Sequence, residues 1–316
     1  MPAHYDKIVP VESLDEFKSG FVAVVGRPNV GKSTLINALL GQKVAAVSPR
    51  PQTTRRQQLG ILTLDDAQII FTDTPGIHHP KHKLGNYMNA EAIIALEDCD
   101  LVLFMVDVSV EPHPEDKLIA DTLTELKRRV PVIMALNKVD LLDENDLEDR
   151  KIDYQALVPQ AHLISISATL LENLSLLLDA VIENLPESPP FYPLDQITDH
   201  HERDIAADLI RESALNILRD EVPHCIAIRI DEFTERGDTG AYIEATVFVE
   251  RNSQKGIVIG DGGKMIKRIS TAARLEIEGM SGRKVFLRLR VKVRKNWRND
   301  ESTLRLFGFR GKVKRR

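Results

Sequence analysis

From Phe21 onward, short and continuously apolar runs alternate with stretches of helical periodicity. Residues 21–25 form the first run, and Lys32–Leu40 follows as a helix that Gly41 stops. Residues 58–64 and 67–72 flank Asp65 and Asp66 and predict a hairpin. Further strands are expected over 101–108, 130–136 and His162–Ile166, with helices between them such as 115–127 and a last amphipathic helix over 171–184. Short strands without polar alternation are buried on both faces. The pattern therefore predicts an α/β fold, a mostly parallel sheet with helices on both sides, over residues 21–186. Residues 1–20 are polar and aperiodic and predict a flexible arm, while Pro186, Pro189, Pro190 and Pro193 mark a linker over 187–201.

Beyond the linker the pattern changes. Residues 202–219 are helical, and 224–233 and 241–250 are strand-like around Arg236, Gly237 and Asp238. A helical turn ends at Ile259 and Gly260, Asp261, Gly262 and Gly263 make a tight loop, and 264–277 is a second helix. Residues 284–294 alternate strictly. Val285, Leu287, Leu289, Val291 and Val293 share one face, and Phe286, Arg288, Arg290, Lys292 and Arg294 share the other. A short helix over 298–307 and a basic tail over 310–316 close the chain. Residues 202–309 thus predict a separate α+β domain.

Composition narrows the class. The 316 residues suit two domains better than one core, and 43% apolar with 28% charged residues is the balance of a folded soluble chain. Cys99 and Cys225 are too few for a disulfide framework or a structural zinc site and fit a reducing, cytoplasmic setting. No run approaches the ~18 apolar residues of a membrane helix, and the N-terminus lacks the pattern of a signal peptide. The net charge of −5 hides an asymmetry. Residues 1–222 carry −16, whereas residues 223–316 carry 22 Lys/Arg against 11 Asp/Glu, a net of +11. A basic C-terminal third on an acidic body points to a polyanion, nucleic acid or anionic lipid.

The chemistry begins at Gly26-Arg27-Pro28-Asn29-Val30-Gly31-Lys32-Ser33, which fits G-x-x-x-x-G-K-[ST] between a buried strand and a helix. Glycines there let several backbone N–H groups face one oxyanion, and the helix N-terminus adds positive potential. Lys32 is expected on the terminal phosphates and Ser33 on Mg²⁺, with Thr34 next in the helix. Asp73-Thr74-Pro75-Gly76 follows the next strand. Asp73 can hold Mg²⁺ through water, and the Gly76 N–H can meet a terminal phosphate and rearrange when it leaves. Asn137-Lys138-Val139-Asp140 closes a further strand. The Asp140 carboxylate can accept from guanine N1–H and the 2-amino group, which adenine does not match. The Lys138 stem can lie over the purine, Asn137 can brace the loops, and Ser167 and Ala168 can offer a backbone N–H to guanine O6.

With these motifs in this order, residues 21–185 resemble a small GTPase domain of the translation-factor class. The resemblance implies GTP or GDP, Mg²⁺ and two switch segments. Switch I would be 47–56, where Gln52-Thr53-Thr54-Arg55 resembles the effector motif, with Thr54, or else Thr53, completing the Mg²⁺ shell beside Ser33 and Asp73. Lys32, Thr54, Gly76 and Asn29 are the expected catalytic residues. Many relatives carry a glutamine where this chain has Ile77, so slow intrinsic turnover is expected. Asn29 in the phosphate loop makes a bound K⁺ an alternative device. His78, His79 and His82 in switch II are read as solvated loop residues.

Gly260-Asp261-Gly262-Gly263 fits the G-x-x-G loop with which KH domains clamp about four nucleotides. Lys255, Lys264, Lys267 and Arg268 flank it as expected phosphate contacts, and the strands and helices around it resemble the type II order. Asp261 departs from such loops by being acidic. A single GTPase domain joined to a type II KH domain resembles the Era GTPase family over about residues 20–309. That resemblance implies binding at the 3′ region of 16S rRNA, a role in assembly of the 30S subunit, a monomer, and in some members association with the inner face of the cell membrane. The competing expectation is a membrane-surface GTPase whose basic domain contacts anionic lipid or protein.

Overall fold

Six strands form one sheet in the order β2 (Gln58–Thr63), β3 (Ala67–Asp73), β1 (Lys18–Val25), β4 (Leu101–Asp107), β5 (Val132–Asn137) and β6 (His162–Ile166). Only β2 and β3 are antiparallel neighbours. The computed structural model describes residues 16–309 apart from Pro49, Pro51, Gln52, Asp238 and Thr239. Most of the expected arm, the basic tail, Gln52 of the effector-like motif and Asp238 of the expected turn lie outside the described residues.

Both sheet faces are apolar because the central strands carry consecutive apolar residues, 21–25 in β1, 101–106 in β4 and 132–136 in β5. In β1, Val22 and Val24 enter one core and Ala23 and Val25 the other, all fully buried. Helices α1 (Lys32–Leu40) and α5 (Leu174–Asn184) cover the first side. Helices α2 (Lys83–Asp98), α3 (Pro114–Thr124) and α4 (Glu144–Gln155) cover the second.

Two expectations need adjustment. The arm does not run to residue 20. Lys18, Ser19 and Gly20 pair with 67–69 of β3, and the Ser19 N–H donates to Pro186 O at 3.1 Å. Backbone pairing draws this polar stretch into β1, and Phe17 beside it is buried. The proline-rich stretch 187–201 is not a free tether. Gln68 Oε1 accepts from the Phe191 and Tyr192 N–H groups at 2.8 and 2.9 Å, and the Ile61 N–H donates to Ile197 O at 2.8 Å. The segment therefore lies along β2 and β3.

The second sheet has the order β7 (Ala227–Arg236), β8 (Gly240–Val249), β9 (Lys284–Val293), antiparallel then parallel. The parallel β8–β9 pair needs a crossover, which α7 (Asn252–Ile259) and α8 (Lys264–Ser281) supply. Ile205 and Leu209 of α6 (Glu202–Ile217) and Ala273 and Ile277 of α8 pack on Ile243, Ala245 and Val285. A further core joins the two halves of the chain. Leu84 and Met88 of α2 pack with Phe248, Trp297, Leu304, Phe307 and Phe309, around α9 (Glu301–Leu306). Among the described residues, no helix is long and apolar enough to cross a membrane.

Candidate functional site

The phosphate loop is a backbone device before it is a charged one. Asn29 and Gly31 take φ 68° and 108°, which turns successive N–H groups inward at the mouth of α1. Gly31 has no room for a side chain, since a Cβ there would lie 2.3 Å from Asn137 Nδ2. Gly76 is equally confined, with Pro28 N 2.7 Å from where its Cβ would be. The DTPG turn is therefore pressed against the phosphate loop. Val30 is buried in the core, and Thr74 Oγ1 donates to Val24 O at 2.7 Å, so both side chains help hold the loops in place. Pro28, Asn29, Gly31, Lys32, Ser33, Thr34, Thr53, Thr54, Thr74 and Gly76 line one cavity.

Lys32 Nζ donates to Gly26 O and Arg27 O, both at 3.0 Å. Burial pushes its pKa down to about 8, against the pull of Asp73. Three oxygens meet beside it. Ser33 Oγ is 2.8 Å from Asp73 Oδ2 and 3.0 Å from Thr54 Oγ1, and Thr54 Oγ1 donates to Asp73 Oδ2 at 2.9 Å. Asp73 Oδ1 is buried with no hydrogen-bond partner, and burial raises the pKa of this carboxyl. A cluster of hard oxygens with one orphaned carboxylate atom fits Mg²⁺. Thr53 instead donates to Arg50 O at 2.8 Å. The structure thus brings Thr54, not Thr53, to Ser33 and Asp73. Ile77 is buried in the second core, and its neighbour His78 is buried with Nδ1 2.8 Å from Gly76 O, not solvated as expected.

At the other end of the cleft, Asn137 Nδ2 donates to Val30 O at 2.7 Å and Asn137 Oδ1 accepts from the Ala168 N–H at 3.0 Å. Asn137 thereby ties three loops together. The Ala168 N–H is committed to that brace in this structure. Ser167 Oγ accepts from the Leu170 N–H at 3.1 Å. Lys138, at φ 71°, reaches Asp107 Oδ2 at 2.5 Å, which fixes the stem expected to lie over a purine. Val139 and Asp140 begin a 3₁₀ turn, with the Asp140 side exposed. Asp107 and Asp116 were not singled out from sequence. Asp107 anchors Lys138, and Asp116 holds Arg27 of the phosphate loop at 3.3 Å.

In the second half, Gly260, Gly262 and Gly263 all have positive φ, and a Cβ at Gly260 would strike Met265. The loop stands out between α7 and α8, with Lys264, Lys267 and Arg268 exposed and Lys255 half-buried. Asp261 lies 3.2 Å from Lys264 Nζ, both in solvent, so its charge is met locally.

The link between the two sites also went unseen in the sequence. Arg55, next to Thr54, is buried in the second half. Its guanidinium donates to Ile226 O at 2.7 Å and His224 O at 3.3 Å and lies 5.7 Å from the Trp297 ring centre. Arg50 donates to Leu218 O at 2.8 Å, Ser48 to Asn216 at 2.7 Å, and Arg56 lies over Phe309. The sequence signal for it was the single tryptophan, Trp297, spaced ahead of Leu304, Phe307 and Phe309.

Comparisons with known proteins cover both halves. Residues 21–138 match the model of the 50S ribosome-binding GTPase family, and residues 221–298 match the KH domain. The chain is 46% identical over 299 residues to the GTPase Era of Lacticaseibacillus paracasei, covering 95% of this chain and 99% of that one. A crystal structure of Era with MgGDPNP and nucleotides 1506–1542 of 16S ribosomal RNA superposes with a TM-score of 0.88 at 39% identity, covering 93% of this chain and 99% of that one. A point variant of Aquifex aeolicus Era bound to GDP·AlF4⁻ matches with the same score, identity and coverage.

Proposed function

The chain belongs to the Era family of GTPases, and from that premise we propose a GTP-hydrolysing switch that binds the 3′ region of 16S rRNA during assembly of the 30S subunit. It acts as a cytoplasmic monomer, with residues 18–186 as the GTPase domain and 202–309 as the KH domain. The observation that carries this reading is the continuity of residues 54–56. Thr54 sits among the Mg²⁺-fitting oxygens, and Arg55 and Arg56 are seated beside Trp297 and Phe309.

The roles follow from position. Backbone N–H groups of the phosphate loop and Lys32 bind the phosphates. Ser33, Thr54 and Asp73 hold Mg²⁺, which when bound offsets charge on the transferring phosphoryl group. Gly76 offers its N–H to the terminal phosphate, and loss of that phosphate releases Thr54 and with it Arg55. Asp140 selects guanine, braced by Asn137 and Lys138. The exposed glycine loop with Lys255, Lys264, Lys267 and Arg268 clamps single-stranded RNA. Ile77 has no polar group to orient water, so turnover is slow without a further device. Asn29, in the same cavity as Lys32, supports K⁺ in that place. Equal-ionic-strength assays in K⁺ and Na⁺ test this, and equal rates would exclude it.

Phosphate release by Asp140→Asn tests the enzyme reading. The variant should prefer xanthosine triphosphate over GTP by at least about a hundredfold relative to wild type, as for a site that hydrogen-bonds the base edge. Retained GTP preference would remove Asp140 from the site.

A further inference from the structure

The strict alternation of β9 leaves one sheet face that neither the phosphate cavity nor the glycine loop uses. α8, which follows the glycine loop, packs on the opposite face through Ala273 and Ile277. Among the described residues the chain covers the outer face at one end, where Phe248 meets Phe307 with ring centres 5.0 Å apart. At the other end Phe286 is 63% exposed. Its ring stacks on Tyr242 at 5.6 Å and 11°, and the Arg236 guanidinium lies 5.2 Å from the Tyr242 ring centre.

Beside this stack runs a row of cations. Arg288, Arg290 and Lys292 follow Phe286 at every second position, about 6.6 Å apart along the strand. Arg288 and Arg290 share a single carboxylate, Glu244, at 3.5 and 2.9 Å, and are 55% and 46% exposed. Cationic charge therefore exceeds its local partners. An exposed aromatic platform at the end of a cationic row is what a single-stranded polyanion with planar bases requires. An acidic protein surface would use the cations and leave the stacked ring without a role.

We infer that Phe286, Arg288, Arg290 and Lys292 form a second contact surface for single-stranded RNA, separate from the glycine loop, with a base on Phe286 and phosphates along β9. The inference rests on the RNA-binding reading above. Because the two surfaces lie on opposite sheet faces, an RNA that uses both must pass around the edge strand β9. Only a long RNA can do so.

The test titrates the full chain with two labelled RNAs. One matches nucleotides 1506–1542 of 16S rRNA. The other is a piece of about six nucleotides from its single-stranded 3′ end, enough for the glycine loop alone. Phe286→Leu should weaken the long RNA about fivefold or more and leave the short one unchanged. Arg290→Ala combined with Lys292→Ala should lower the salt slope for the long RNA by about 1.4. Long-RNA affinity untouched by these exposed substitutions would overturn the inference. So would equal weakening of both RNAs, which would make the surface part of the loop's own groove. Binding of neither RNA by wild type would overturn the RNA-binding reading and this inference together.

Discussion

Lys32 shows how one residue carries both the binding chemistry and its cost. Its pKa of about 8 lies below the ordinary 10.5 because burial outweighs the attraction of Asp73. Below about pH 8 it is charged both folded and unfolded, and the folded state bears the full burial penalty. As pH rises from about 8 to 10.5 the folded form sheds its proton first, so the penalty is relieved. Polyphosphate should restore the charge. Nucleotide binding at pH 8 should therefore take up about half a proton, falling toward zero below pH 7. Calorimetry in two buffers of different ionisation enthalpy reads this directly, and a buffer-independent heat at pH 8 would contradict it. The phosphate loop was legible because its parts are consecutive in sequence. The choice between Thr53 and Thr54 was not, because it depends on which hydroxyl the fold turns toward Asp73.

At the scale of elements, the segment from Lys43 to Arg56 is bound at both ends. Lys43 bridges Glu212 of α6 and Glu276 of α8 at 2.8 Å each, and Arg55 is sunk beside Arg211 and Arg298 with its Nε unpartnered. Burial, and then those two like charges, disfavour the charged form of Arg55. A guanidinium does not readily lose its proton, so that cost is carried by the contact of Arg55 with the Ile226 and His224 carbonyls. Such a contact suits a latch that a neighbouring residue can release. Arg55→Met keeps the volume and removes the charge. It should shrink the nucleotide dependence of RNA affinity to less than about twofold, against at least about fivefold in wild type. A full nucleotide effect in the variant would place the coupling elsewhere. Strands and glycine-bounded helices were legible from their apolar runs. Helix α2 was not singled out, since it lacks a side-chain cap and carries Gly85 in its first turn. The proline cluster was legible as a break. Its packing along β2 and β3 depends on Gln68, which pattern alone does not distinguish.

For the whole molecule, the charge asymmetry and the two glycine loops announced two kinds of anion site on one chain. Their connection was illegible, because it runs through contacts nearly 170 residues or more apart, such as Arg55 to Ile226. The core of Leu84, Met88, Trp297 and Phe307 adds a second joint, from the segment after DTPG to the end of the KH half. The segment 48–56 and the segment after DTPG therefore both touch the second half, and on the proposed reading a change at the terminal phosphate has two routes to it.

Gating of RNA binding by nucleotide state is read out by titrating the protein with labelled RNA matching the 3′ region of 16S rRNA. Salt is fixed, and the titration is run first with GDPNP and then with GDP. Tight binding is expected with GDPNP, and binding weaker by at least about fivefold with GDP. Equal affinity in the two states would rule out gating.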